Sequence, residues 1–339
     1  MTAALAAIIA AGIVLPHTLR LQRVHPITAV VLWLSSLALR AIACLLAAIY
    51  LLFFMPATGL FVALTHWCGQ VALPVDGSQL AVEGHGLGAL SLYVPGIVLA
   101  SSLLWICVGS VRDARAARHL VAHHAVGLGP RNSLIVGGSD VLFAVAGLVG
   151  PRIVVSAGAL TSLDDDELAA GLNHEEGHIA RRHRFVMLLA VGLRALGRAV
   201  PGTGRGVREL AFHLERDADR WALRQKNDRV ALASVISKAA TAERTRPPAL
   251  VGLGDTDVRE RLGQVLDRRS GTTPRASAAF NALATTMVVC TLLVGAVVPA
   301  AAVSGVAADS HRGHHGHHCL HEAQGTSAVS PPDADQLHG

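Results

Sequence analysis

The chain has 339 residues, of which 52% are hydrophobic and 16% charged, and its mean hydropathy is +0.46. Soluble domains carry about 25% charged residues, so this composition argues against an ordinary soluble protein and indicates a membrane protein. The formal net charge of +5 comes mainly from arginine. We expect this charge to face anionic lipid and predict no direct nucleic acid binding.

Four apolar runs are candidate membrane spans, at residues 2–16, 27–57, 89–109 and 279–305. A helix needs roughly 17–25 apolar residues to cross a bilayer, so the first run is near the lower limit and is alternatively an interfacial or buried helix. Arg40 interrupts the second run. Either its side chain snorkels, or the run is one long helix that extends past the bilayer, which is the interpretation we favour.

Basic residues predict the orientation of these spans. Arginines follow the first and third runs, whereas residues 58–88 contain no Lys or Arg. The cytoplasmic side of a membrane protein is enriched in basic residues, so the N-terminus is expected outside. The predicted domains are a membrane region with three spans (1–110), a cytoplasmic domain (111–275), a transmembrane helix (276–305) and an external tail (306–339).

The cytoplasmic domain begins with three short apolar runs that read as strands. They lie at residues 133–137, 141–146 and 153–156, and Gly or Pro bounds them. They predict a small sheet in a fold that is α+β but mainly α.

The sequence H-E-E-G-H at residues 174–178 follows the sheet. On a helix, His174 and His178 project from one face about 6 Å apart, so one zinc ion can contact both. Glu175 lies about 100° around the helix, where it is placed to act as a general base on a water at the metal. Chance produces such a motif in roughly a few per cent of sequences of this composition, so its surroundings matter.

These surroundings predict a helix from about 163 to 184. Ser162 and Asp165 have the spacing of a capping box at its start, and arginines at 181, 182 and 184 suit the negative end of the helix dipole. A predicted buried stripe holds the helix in place. The stripe consists of Leu168, Gly171, Leu172 and Ile179.

Catalytic zinc usually has three protein ligands and an open position. Glu215 is the candidate third ligand, and Asp219, four residues on, is placed to hydrogen bond a ligand imidazole. A solvated helix face with Arg216 and Arg220 is an equally good explanation of this spacing. His183 and His213 read first as surface or core histidines.

Residues 151–183 together with 215–219 resemble the integral-membrane gluzincins. Two branches are similar: the β-lactam-sensing antirepressor peptidases, and the group of the CAAX prenyl protease and the heat-shock membrane protease. The resemblance implies one Zn²⁺ bound by His174, His178 and Glu215, with Glu175 as base and Asp219 behind the ligands. It also identifies a helix around Arg261 that closes the fold. The short interval between base and third ligand suits the antirepressor branch, although a penicillin-binding sensor is absent from the sequence.

The predicted function is a membrane-bound zinc metalloendopeptidase that acts near the cytoplasmic face of a bacterial membrane. Candidate oxyanion or substrate contacts are His213, Arg220 and Arg261. Residues 141–146 form either an edge strand that holds an extended substrate or an interior strand. Residues 185–198 read as a helix against the membrane surface. Expected substrates are a cytosolic transcriptional repressor, a neighbouring membrane protein or the chain itself.

Two alternative functions stay open at this point: a zinc-handling membrane protein, and a proteolytically silent regulator that binds a cytoplasmic repressor. The charged residues around the motif argue against a transport path or an intramembrane protease. Residues 311–321 are rich in histidine and are expected to bind divalent metal weakly. Cys68 and Cys319 fall on the same outer side in this topology, which permits an outer disulfide as a hypothesis.

Overall fold

The computed structural model describes residues 2–53, parts of 97–115, and 125–147, 150–244, 258–267 and 276–294. The loop at 58–88, the end of the last predicted span, the histidine-rich tail and the hypothetical Cys68 to Cys319 disulfide lie outside the described residues.

The helices are α1 (Thr2–Thr18), α2 (Pro26–Phe53), α3 (Ala157–Ser162), α4 (Asp165–Ala180), α5 (His183–Leu196), α6 (Thr203–Arg224), α7 (Arg229–Arg244), α8 (Val258–Leu266) and α9 (Ala276–Val294). The strands are β1 (Ala125–Leu128), β2 (Leu134–Val136), β3 (Phe143–Ala146) and β4 (Arg152–Ser156). The described part of the chain is therefore mostly helical with one small mixed sheet.

Within the described residues, two helical segments are long and apolar enough to cross a bilayer, Pro26–Ala48 in α2 and Ala276–Val294. The apolar segments Ala6–Thr18 and Ala100–Gly109 are shorter. Because buried helices of soluble proteins have similar lengths and compositions, these two helices suggest membrane association only weakly. The arrangement of four spans and its orientation stay predictions.

The sheet has the strand order β1-β2-β4-β3. Strand β4 runs parallel to β2 and antiparallel to β3, and β1 runs antiparallel to β2. The three strands expected from the sequence are confirmed, whereas β1 was not predicted. Among the described strands β3 pairs with β4 alone, so β3 is an edge strand of the described sheet, which favours the edge alternative for residues 141–146.

Helix α4 lies between two hydrophobic clusters. Leu172 packs with Val155 and Ala159 on the side of the sheet. Ala170 packs with residues of α6, α7 and α8, including Leu232. Burial on both sides fixes the position of α4 relative to the sheet and to α6.

The boundaries of α4 differ from the sequence prediction. Asp164 is the N-cap, and its side chain accepts a hydrogen bond from the backbone N–H of Glu167 at 2.8 Å, while Glu167 accepts one from the backbone N–H of Asp164 at 3.1 Å. The predicted cap by Ser162 and Asp165 is wrong, because Ser162 belongs to α3 and donates to the Gly158 carbonyl. The helix ends at Ala180 instead of 184 because Arg182 adopts a left-handed conformation with φ of 54°.

Arg40 lies in the middle of α2 and is buried. Its guanidinium donates to the Ser36 hydroxyl at 3.0 Å and to the Ile13 carbonyl at 3.1 Å. The prediction of one continuous helix is therefore confirmed over the described residues. Snorkelling is wrong, because α1 encloses the charged end of the side chain.

Helix α5 accounts for most of the stretch that was expected to lie on the membrane. Ala190 is buried in the cluster that also contains residues of α2 and α6. Phe185 and Leu189, one turn apart, are about half exposed at 49% and 52%. The helix thus has an apolar face toward the fold and apolar side chains on its surface, and its contact with lipid stays a prediction.

Candidate metal centre

Helices α4 and α6 approach closely at the H-E-E-G-H sequence. A Cβ at Gly177 would lie 3.0 Å from Cβ of Trp221 and 3.2 Å from Cα of Ala218. These separations are tighter than ordinary van der Waals contacts, so any larger residue at 177 would force the helices apart. Glycine at this position therefore allows His178 to approach Glu215.

The structure brings His174, His178 and Glu215 together. The two Nε2 atoms lie 3.2 Å apart, and the Glu215 carboxylate oxygens lie 3.4 Å from Nε2 of His174 and 3.5 Å from Nε2 of His178. Tetrahedral zinc with bonds of about 2.0–2.1 Å requires ligand atoms to be about 3.3 Å apart. The distance between the two imidazole nitrogens matches this value, and each imidazole faces a different oxygen of Glu215. With one ligand atom from each residue, the three atoms lie within 4.8 Å of one another, so the donor set suits a zinc ion.

The three candidate ligand side chains are partly buried but remain accessible to solvent. Their side chains are 13%, 16% and 25% exposed for His174, His178 and Glu215 respectively. A metal held by these groups would keep a side open to solvent, as a catalytic metal requires.

Asp219 and Arg261 contact the candidate ligands and hold them in position. An Asp219 oxygen lies 2.9 Å from Nδ1 of His174, on the opposite side of the ring from Nε2. Arg261 donates to both oxygens of Asp219 at 2.8 and 3.0 Å and lies 3.0 Å from Glu215. One guanidinium thus holds two carboxylates in fixed positions.

His183 and Asp217 form a second supporting arrangement that the sequence did not reveal. Nδ1 of His183 lies 3.0 Å from Nδ1 of His178, and Nε2 of His183 lies 3.3 Å from Asp217. The interpretation of His183 as a core histidine is confirmed, since it is 4% exposed. Its contact with His178 depends on the break at Arg182, because five residues along an unbroken helix would turn it about 140° away.

The electrostatics of the cluster distinguish the two histidines. Burial lowers the pKa of His178 to about 3, which keeps its imidazole neutral. Burial also lowers the pKa of His174, but hydrogen bonds and charge from Asp219 and Glu215 outweigh it and raise the pKa to about 10 without a metal. A metal must therefore displace a proton from His174 when it binds.

The two glutamates of the site have opposite shifts. Burial raises the pKa of Glu175 to about 7. Burial also opposes ionisation of Glu215, but Arg261 and the two histidines outweigh it and hold its pKa well below the ordinary value. Glu215 is therefore an anion suited to a metal, whereas Glu175 can exchange a proton near neutral pH.

The geometry does not favour His213 or Arg261 as oxyanion or substrate contacts. His213 is 0% exposed and lies 2.9 Å from Arg216, so its assignment as a substrate contact is wrong. Two residues before Glu215, it projects about 200° away around α6. Arg261 is buried against Asp219 and Glu215, so this geometry does not favour direct contact with substrate. The role of Arg220 stays a prediction.

The helix that carries the H-E-E-G-H sequence thus brings two histidines into one cluster with Glu215 of α6. Residues 117–211 match the model of peptidase family M48. The matched segment contains His174, Glu175 and His178 but ends before Glu215. No curated protein matches the chain. The family match supports a proteolytic enzyme of the metallopeptidase class and does not distinguish the two branches named from the sequence.

Proposed function

We propose that this chain is a membrane-bound zinc metalloendopeptidase that cleaves peptide bonds near the cytoplasmic membrane face. The observation that carries the proposal is the convergence of His174, His178 and Glu215, which brings two imidazole nitrogens and a carboxylate oxygen within 4.8 Å of one another, the donor set of a catalytic zinc site. Asp219 and Arg261 fix the first histidine and the carboxylate.

The catalytic roles follow from the surroundings of each side chain. Zinc bound at this cluster would supply Lewis acidity, which lowers the pKa of a water in the open position and polarises the substrate carbonyl. Glu175 accepts the proton of the attacking water and passes it to the leaving amine. Its pKa of about 7 suits a group that must take up and release a proton in one cycle.

The edge strand β3 is the proposed docking strand for an extended substrate. It lies against α4, because a Cβ at Gly171 would be 2.7 Å from the ring of Phe143. At the end of β3, Arg184 donates to the Gly147 carbonyl. Backbone groups on the open edge are available to hydrogen bond a peptide, which would place that peptide alongside the metal helix.

The proposed membrane arrangement has four spans, with the N-terminus and tail outside and the metal centre in the cytoplasm. The two candidate spans and the half-exposed apolar residues of α5 support it. In intact cells, an impermeant maleimide is expected to label Cys319. A Glu176→Cys protein in which all five native cysteines are replaced by serine should be labelled only after lysis, and labelling before lysis would contradict the orientation.

The proposed physiological substrates are a cytosolic transcriptional repressor or neighbouring membrane proteins, in regulatory signalling or in quality control. New protein N-termini would be compared between cells that contain the native chain and cells that contain the Glu175→Gln chain. Fragments of a repressor would favour signalling, and fragments of many membrane proteins would favour quality control.

The enzymatic proposal is tested with the purified full chain in detergent. We expect Glu175→Gln to retain tightly bound zinc and to lose peptidase activity, whereas His178→Ala loses both. Glu176→Gln is the matched control, because this neighbouring glutamate is exposed and should leave both properties intact. Normal cleavage by the Glu175→Gln protein would reject the base role, and bound zinc without any cleavage by the native chain would favour the silent regulator.

A further inference from the structure

Helix α6 supports the two histidines of the metal cluster in different ways. The Asp219 carboxylate lies 2.9 Å from His174. No such direct contact joins Asp217 to His178 among the described residues; instead His183 lies between them, 3.0 Å from His178 and 3.3 Å from Asp217. Asp219 thus contacts His174 directly, whereas the imidazole of His183 lies between Asp217 and His178.

With a metal on His178, these contacts allow one arrangement of the protons on the rings of His178 and His183. If Nε2 of His178 binds a metal, its proton resides on Nδ1, which donates to Nδ1 of His183. A neutral His183 that accepts on Nδ1 carries its own proton on Nε2, and this proton is donated to the Asp217 carboxylate. Each ring then has one donor and one acceptor, and each is satisfied.

The surroundings hold this chain of contacts rigidly. His183 and Asp217 are both buried, at 4% and 3% exposure. The rings of His178 and His183 meet edge to face, with centroids 4.9 Å apart. Arg181 lies 3.5 Å from the Asp217 carboxylate and its guanidinium stacks over Trp221. The Asp217 carboxylate, which is the last group in this series of contacts, is therefore also held in position.

We propose that His183 is a positioning residue, anchored by Asp217, that fixes the tautomer and orientation of His178 for metal binding. The inference rests on the proposed zinc centre. Groups that contact the far nitrogen of a ligand histidine typically change metal affinity by about 10–100-fold. A histidine that only filled space would not change affinity in this way.

The test measures affinity for Zn²⁺ by competition with a chelator and records the absorption spectrum of the Co²⁺ form. All proteins are full chains with alanine at the six histidines between 311 and 321, so that the tail does not contribute. We expect His183→Phe to weaken Zn²⁺ binding about 10–100-fold and to change the Co²⁺ spectrum. His183→Gln should recover most of the affinity, because a carboxamide has one acceptor and one donor at nearly the same spacing as an imidazole.

The matched control is His213→Phe, which removes a similarly buried histidine that lies beside Arg216 and should leave affinity unchanged. Unchanged affinity in His183→Phe would overturn the inference, and so would an equal loss in His183→Phe and His183→Gln. If His183→Phe does not fold, Asp217→Leu, which removes the acceptor for His183, is measured instead, and an unaltered affinity there overturns the inference. Equal metal binding by the native and His178→Ala proteins would instead reject the zinc centre itself.

Discussion

Arg261 is predicted to be the main stabilising group of the metal-free centre. Its guanidinium contacts Asp219 at 2.8 and 3.0 Å and Glu215 at 3.0 Å, and the side chains of Arg261 and Asp219 are only 10% and 5% exposed. Arg261→Met keeps much of the side-chain volume but leaves the two carboxylates with protonated His174 as the cation beside them. Removing one partner of a buried ion pair costs about 3–5 kcal/mol of unfolding free energy.

The size of this effect depends on metal and on pH. For a cooperative unit of the size of the predicted domain at 111–275, each kcal/mol corresponds to about 2–4 °C, so the midpoint of thermal unfolding should fall by roughly 6–20 °C without metal. Bound zinc would neutralise part of the Glu215 charge that Arg261 no longer pairs in the variant. The difference in unfolding midpoint between the native and Arg261→Met proteins should therefore be smaller with zinc. Because Arg261 lowers the pKa of Asp219 and Glu215, its contribution is present above their unfolded pKa values of about 4 and is lost as the pH falls through the folded values.

The assay is thermal unfolding of the detergent-solubilised full chain with a chelator and then with zinc. Arg259→Met is the control, because Arg259 lies on the same helix and is exposed, and its substitution should change stability by less than about 0.5 kcal/mol. If Arg261→Met without metal were no less stable than Arg259→Met, the stabilising role assigned to Arg261 would be refuted.

Three further predictions concern the centre directly. Gly177→Ala should separate α4 from α6, lower the unfolding free energy by about 1–3 kcal/mol and weaken zinc binding. Gly192→Ala, where a Cβ meets nothing within 4 Å, should have none of these three effects. Because protonated Glu175 cannot accept a proton, kcat/KM should rise with pH through an acid limb at or below about 7, and activity that increases toward low pH would contradict this. A chelator should abolish cleavage, zinc but not magnesium should restore it, and cleavage that survives chelation would exclude a metal mechanism.

The positions of the central side chains could be predicted because they depend on helix periodicity. His174 and His178 on one helix, and Glu215 and Asp219 on another, each lie four residues apart and therefore share a face. The sheet could be predicted in part, because its three longer apolar runs are bounded by Gly and Pro. Strand β1 was missed because Ala125–Leu128 contains two small residues and has no clear alternation.

The remaining features depend on tertiary contacts that local patterns do not contain. The contact of His183 with His178 requires the left-handed residue Arg182, and arginine gives no signal of that conformation. Ser162, two residues before the observed N-cap Asp164, offered a similar capping pattern, but Ser162 is the last residue of α3 and therefore does not cap α4. The burial of His213 follows from which face of α6 packs on α2, which the sequence of α6 alone leaves open.

X-ray absorption at the zinc edge would show whether His174, His178 and Glu215 bind one zinc ion. The full chain would be purified with the tail histidines substituted and dialysed to remove weakly bound metal. We expect one zinc per native chain with only nitrogen and oxygen neighbours at about 2.0–2.1 Å, and no bound zinc signal in His178→Ala. Sulfur in the first shell, or an unchanged spectrum in His178→Ala, would contradict this expectation.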